Sequence, residues 1–118
     1  MALDVRYHNE TGYLAVEVSG LWEQNDAEQA IEAIRDEADK REQTRLFLDL
    51  RNFTPPKSRM TRFFTGEHIA KHWGRPFRVA GLWTPEFYDG FAETVAVNRS
   101  ATIKVFIEKE KALEWLLK

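Results

Sequence analysis

The chain has 118 residues, with 17 Lys and Arg against 19 Asp and Glu, a net charge of −2, and no cysteine. That length suits one domain with a buried core, and 43% hydrophobic with 31% charged residues suits a folded protein rather than a disordered one. The charge argues against a general nucleic-acid binder, and the missing cysteines exclude disulfides, thiol catalysis and thiolate metal sites.

The opening MALDVRYHNE lacks an apolar signal core, and no apolar run approaches the roughly 20 residues that span a bilayer. The expectation is a cytoplasmic protein without an integral membrane segment. Leu3 to Tyr7 is a short candidate strand. His8-Asn9-Glu10-Thr11-Gly12 is a turn, with Gly12 free to take φ > 0. From Tyr13 to Ser19 the pattern alternates: Leu14, Val16 and Val18 point one way, Tyr13, Ala15 and Glu17 the other. The two segments make an antiparallel hairpin at a sheet edge.

After Gly20-Leu21-Trp22, Asn25 or Asp26 is placed to cap a helix, with Glu28 or Gln29 returning the bond. Ala27, Ala30, Ile31, Ile34 and Ala38 recur at helical spacing. This narrow apolar stripe suits a helix lying flat on a sheet. Glu28, Glu32, Asp36, Asp39 and Lys40 fall outside the stripe and read as a solvated face.

Arg45 to Leu50 is a nearly unbroken apolar run, as expected of a strand buried on both faces in the middle of a parallel sheet. Asn52-Phe53-Thr54-Pro55-Pro56 then turns the chain, because proline has no N–H for further pairing. A helix follows over Ser58–Trp73, ended by Gly74 and Pro76. Phe77 to Trp83 is a second buried strand. Thr84-Pro85-Glu86 reads as a helix start, with Thr84 as cap and Pro85 at the first helical position. Phe87, Tyr88, Phe91, Ala92 and Val95 give this helix, expected over Pro85–Val97, an apolar face. Ile103 to Ile107 is a third buried strand, and Lys109 to Lys118 a last helix. The sequence therefore predicts an α/β fold in the order ββαβαβαβα. Its sheet is mixed, mostly parallel, of about five strands, with an antiparallel N-terminal edge hairpin, in one domain over 1–118.

Val18-Ser19-Gly20-Leu21-Trp22 running into Asp26-Ala27, the strand-loop LFLDLRNF, the strand RVAGL, and the ending Val105-Phe106-Ile107 with Lys111-Ala112-Leu113-Glu114-Trp115-Leu116 together resemble the STAS superfamily. Within it they are most similar to the SpoIIAA-like branch of small bacterial proteins. The resemblance covers nearly the whole chain and implies the anti-sigma-factor-antagonist fold. In phosphorylation-switched STAS proteins a serine at the start of the helix after this central strand is the phosphoacceptor, in an Asp-Ser-Ser/Thr-Gly setting. Here that stretch is Thr54-Pro55-Pro56-Lys57-Ser58-Arg59, without the Asp and the Gly, and Ser58 is the one residue that can match. SpoIIAA-like members generally lack the motif, so the resemblance implies a fold without an established activity.

Several residues invite a functional reading beside a simpler one. Ser58 is a phosphoacceptor candidate or a plain N-cap. His68 and His72, four apart on a helix, can share one metal ion. They supply only two ligands, however, and Glu67 points about 100° away from His68; two solvent-facing histidines are the simpler reading. Lys57, Arg59 and Arg62 begin a basic stretch that also holds Lys71, Arg75 and Arg78, suited to an acidic partner or to solvation. Phe53, Met60, Phe63, Phe64, Trp83, Phe87 and Phe91 are more aromatic and apolar surface than one sheet contact requires. They can enclose a pocket between the second and third helices, form a contact surface, or pack as ordinary core. Asp49 needs a partner in mid-strand, and Arg51 or Arg45 is placed to supply it. Nucleotide-binding glycine motifs and nucleophile elbows are absent. The sequence thus predicts a non-enzymatic module that binds a protein partner, a second copy of itself included, with no cofactor and no nucleic acid. The alternative is a carrier of a small apolar or amphipathic ligand.

Overall fold

Alternating and β-branched residues build a single sheet, and the apolar stripes between them build the helices that cover it. The computed structural model describes residues 3–21, 24–54, 58–86 and 90–118, with Gln24, Arg59 and Phe91 placed by their backbone alone. The elements run β1 (Asp4–Glu10), β2 (Tyr13–Leu21), α1 (Gln24–Lys40), β3 (Arg45–Thr54), α2 (Arg59–His72), β4 (Arg78–Leu82), α3 (Phe91–Asn98), β5 (Ile103–Phe106) and α4 (Lys109–Leu116). The five strands lie in the order β1-β2-β3-β4-β5, with β1 antiparallel to β2 and every later pair parallel. The predicted fold class and element order are those observed, and β3 is the middle strand.

Strands laid down in sequence order, each joined to the next by a right-handed crossover, put every crossover helix on the same face. The burial agrees. Leu14, Val16, Val18, Leu46, Leu48, Val79 and Ile103 share one core with Ile31 and Ile34 of α1 and Ile69 of α2. Phe47, Ala80 and Leu82 share the other with Ala112 and Leu116 of α4, which returns across the opposite face. Leu46 and Phe47 are both buried, so β3 is apolar on both sides as its sequence requires. Fully burying a side chain such as Leu46 is worth about 1.5–3 kcal/mol.

Several details differ from the expectation. β1 continues to Glu10, with His8 opposite Ala15 and Glu10 opposite Tyr13, so the hairpin turn is Thr11-Gly12 rather than His8 to Gly12. β3 continues to Thr54, because a register shift between Glu17 and Ser19 lets β2 keep pairing, with Ser19 opposite Asn52 and Leu21 opposite Thr54. α1 begins at Gln24, so Asn25 and Asp26 lie within its first turn rather than at its cap. Gly74 is absent from the positive-φ glycines; α2 ends through Trp73, whose N–H returns to the Ile69 carbonyl. The largest difference is α3, which starts at Phe91 after Gly90 at φ 74°, while Pro85 and Glu86 form a turn. Proline after threonine marks a turn as readily as a helix start.

Candidate functional site

The C-terminal ends of β3 and β4 set the floor of the site. Phe53 turns inward and meets Trp83, just beyond β4, with ring centroids 5.8 Å apart. The Trp83 indole N–H donates to the Phe53 carbonyl at 3.1 Å, so both aromatics are fixed by strand backbone. Above them lies α2. Ser58 is its N-cap and accepts from the Thr61 N–H at 3.3 Å, which is the plain capping role. Thr65, almost fully buried, donates its hydroxyl to the Thr61 carbonyl at 2.9 Å. Gly66 permits close contact with α3: a Cβ there would lie 2.7 Å from both the Ala92 carbonyl oxygen and Val95 Cβ.

Between them, α1, α2, the start of α3 and the sheet line a partly open cavity of about 100 Å³. Its wall is mostly apolar, with Val18, Ile31, Leu48, Phe53, Ile69 and Trp83 among the lining residues. Arg62, Thr65 and Glu93 add polar groups. The Glu93 carboxylate also accepts the Val105 N–H of the edge strand β5. Of the described aromatic and apolar candidates, Phe53 and Trp83 line the cavity, whereas Met60, Phe63 and Phe64 do not.

Those three sit on the outer part of α2. Met60 is 61% and Phe64 37% exposed. Phe63 is half-buried, edge-on to Phe64 at 5.7 Å and covered by the Arg99 guanidinium at 5.1 Å. Phe87 and Lys57 fall outside the described residues, as do the side chains of Phe91 and Arg59. Of the leading basic trio, Arg62 lines the cavity. Arg78 leaves the stretch altogether: it lies 4.0 Å over the Trp115 ring and donates to the Trp115 carbonyl, holding the end of α4. Lys71 and Arg75 are exposed.

The histidines do not simply face solvent. His68 and His72 lie against α1, with ring centroids 4.4 Å apart and His68 Nε2 3.0 Å from Glu32 Oε2. Burial and the neighbouring His68 hold the His72 pKa below its usual 6.5. Glu67 turns away and pairs with Arg99 at 3.3 Å. In sequence, Glu32 is one of several acids outside the apolar stripe of α1 and carries no mark of its own. The signal that can find it is topological, because sequential crossovers make α1 and α2 neighbours. Asp49 meets Arg51 through two hydrogen bonds of 2.9 and 2.7 Å, and the Arg51 guanidinium holds its carboxyl below the usual 3.8.

A family model described as SpoIIAA-like matches residues 13–117, nearly the whole chain. The chain belongs to the SpoIIAA-like family. A search of curated proteins gives no match. Among solved structures, an uncharacterized protein with a SpoIIAA-like fold from Shewanella loihica PV-4 is 18% identical, with a TM-score of 0.59 over 98% of this chain and 94% of that one. An anti-sigma factor antagonist from Mycobacterium paratuberculosis is 14% identical, with a TM-score of 0.66 over 99% and 96%. At these identities the likeness is one of fold. Ser58 of this SpoIIAA-like chain thus stands at the N-cap of α2, with Arg62 and the cavity below it. No helix among the described residues is long and apolar enough to cross a membrane.

Proposed function

We propose that this SpoIIAA-like protein is a regulatory module without catalytic activity of its own, acting in the cytoplasm by protein–protein contact through the outer face of α2. The observation that carries the reading is the exposure of Met60 and Phe64, one turn apart on the same helix face. Among the described residues, the other large exposed apolar ones, Leu21, Val97, Ile107 and Leu117, stand singly on separate segments, which is ordinary for a protein surface. The inner side of α2 is already engaged through Thr65, Gly66, Ile69 and Trp73, so the sheet has no use for Met60 and Phe64. An anti-sigma factor antagonist of the same fold is in keeping with a protein partner. The first partner to test is a second copy of the chain. Wild type is expected to sediment as a dimer and Phe64→Asp as a monomer with an unchanged circular dichroism spectrum. A dimer that survives Phe64→Asp counts against this face.

A second reading, carriage of a small apolar or amphipathic ligand, is favoured by the cavity. Its volume ranks it second: about 100 Å³ is well below the roughly 300–1,000 Å³ of ordinary ligand pockets. Native mass spectrometry separates the readings, with a bound small-molecule mass supporting carriage and an unliganded dimer supporting contact.

A further inference from the structure

We propose that Glu32 of α1 with His68 and His72 of α2 forms a binding site for one divalent transition-metal ion of the zinc, cobalt and nickel class. One ligand atom from each residue lies within 4.8 Å of the others. A tetrahedral ion with bonds of about 2.0–2.1 Å holds its donors about 3.3 Å apart. Glu32 and His68 are already at 3.0 Å, so the remaining closure is a matter of side-chain rotation.

The frame around the three is rigid. The two histidines are spaced by one helical turn, which points both imidazoles the same way. The residues next to the proposed ligands tie the helices together: the Trp73 indole N–H donates to the Ile31 carbonyl at 3.1 Å, and Arg35 Nη1 donates to the His72 carbonyl at 2.7 Å. The His68 side chain is only 18% exposed, so its ring has little freedom to leave.

The local charge permits a cation. Glu32 supplies one negative charge. Arg35 is the nearest opposing cation on α1, but its guanidinium is held by Asp39 at 3.0 Å and lies 4.8 Å over the Phe77 ring. Lys71 points outward as an exposed side chain. Two imidazoles and one carboxylate favour zinc, cobalt, nickel, copper or iron(II) over magnesium and calcium, which prefer oxygen alone. Three protein ligands leave a fourth position for water or for a donor from a partner. A bound ion fastens the C-terminal half of α2 to α1, one helical turn from Phe64.

The test uses the untagged full chain. Zinc titration by calorimetry is expected to show one saturable equivalent, and cobalt is expected to give visible ligand-field absorption. Losing even an outer-shell partner of a metal-bound imidazole costs about 10–100-fold in affinity. His72→Gln and Glu32→Gln should each weaken zinc binding at least that much while circular dichroism stays unchanged. Glu32 is exposed, so its variant retains the fold if the His72 variant does not. His8, 3.9 Å from Glu17 on the hairpin, is the competing site, and His8→Gln should leave the affinity unchanged. Absence of a saturable equivalent, equal affinity in the Glu32 variant and wild type, or loss in the His8 variant alone overturns the proposal.

Discussion

The two faces of the sheet are covered in different ways. On one, three helices from three crossovers converge and leave a cavity of about 100 Å³ beneath them. On the other, α4 lies over the β3–β5 side and packs by direct contact: Ala112 and Leu116 are fully buried against Phe47, Ala80 and Leu82. Tyr13 meets Phe47 edge-on at 6.2 Å, and Phe106 lies 5.8 Å from Trp115. Where α4 does not reach, the strands show a charged strip of Asp4, Arg6, Glu17, Asp49 and Arg51. Three helices must fit both the sheet and one another, and ridges on helices cannot satisfy both contacts everywhere. One helix has a single contact to satisfy. The α4 face is therefore packed by direct contact, and the three-helix face retains a cavity.

This contrast orders the expected effects of substitution. Phe47→Ala empties the well-packed face and should cost about 3–5 kcal/mol in urea unfolding. A cost under 1 kcal/mol would mean that face is loose. Gly66→Val drives a side chain into α3 and should cost about 1–3 kcal/mol; a neutral result would show that α2 and α3 separate easily. Adding volume distinguishes the faces directly. Ala80→Val, at a fully buried position under α4, should destabilise by about 1–3 kcal/mol. Val18→Ile, beside the cavity, should be neutral or stabilise by up to about 0.8 kcal/mol, the worth of one buried methylene. Equal costs for the two would erase the contrast.

The smallest effects are in pH. His72 has a depressed pKa, so the unfolded chain takes up its proton more readily than the folded one. Its contribution is whole above the usual 6.5 and declines as the pH falls from there through the lower folded value. The groups acting on it are His68, Lys71 and Arg35, which oppose its charge, and Glu32, which favours it. Asp49, on the opposite face, is also depressed, by the Arg51 hydrogen bond first. Its contribution is present above the usual 3.8 and is lost as the pH falls through its folded value. Unfolding free energy measured against pH should decline over two windows, the upper abolished by His72→Gln and the lower kept. An upper decline that persists in that variant assigns it elsewhere.

The sequence was most legible where one short-range rule governs. The alternation Leu14, Val16, Val18 fixes which side of β2 is buried, and the apolar run at Leu46–Leu48 places β3 in the sheet's middle. Ser58 and Trp73 bound α2 within a residue of its observed ends. Legibility fails where two rules share a signature: Thr84-Pro85 leads into a turn at Pro85-Glu86, and α3 has its N-cap at Gly90. It fails again where distance in sequence is large. Glu32 and His68 are separated by 36 positions, and the Trp73 indole finds its acceptor on Ile31, 42 positions away. The cavity depends on how three helices settle on one another, which residue spacing along any one of them does not encode.

The central claim, that α2 offers the contact face, is tested most directly by sedimentation of paired variants. Phe64→Asp places a charge on the outer face of α2, and Ile107→Asp places one at a more exposed apolar residue next to α4. The expected result is a monomer for Phe64→Asp and a dimer, as in wild type, for Ile107→Asp. A dimer in the first, or dissociation in the second alone, contradicts the assignment of the contact to α2.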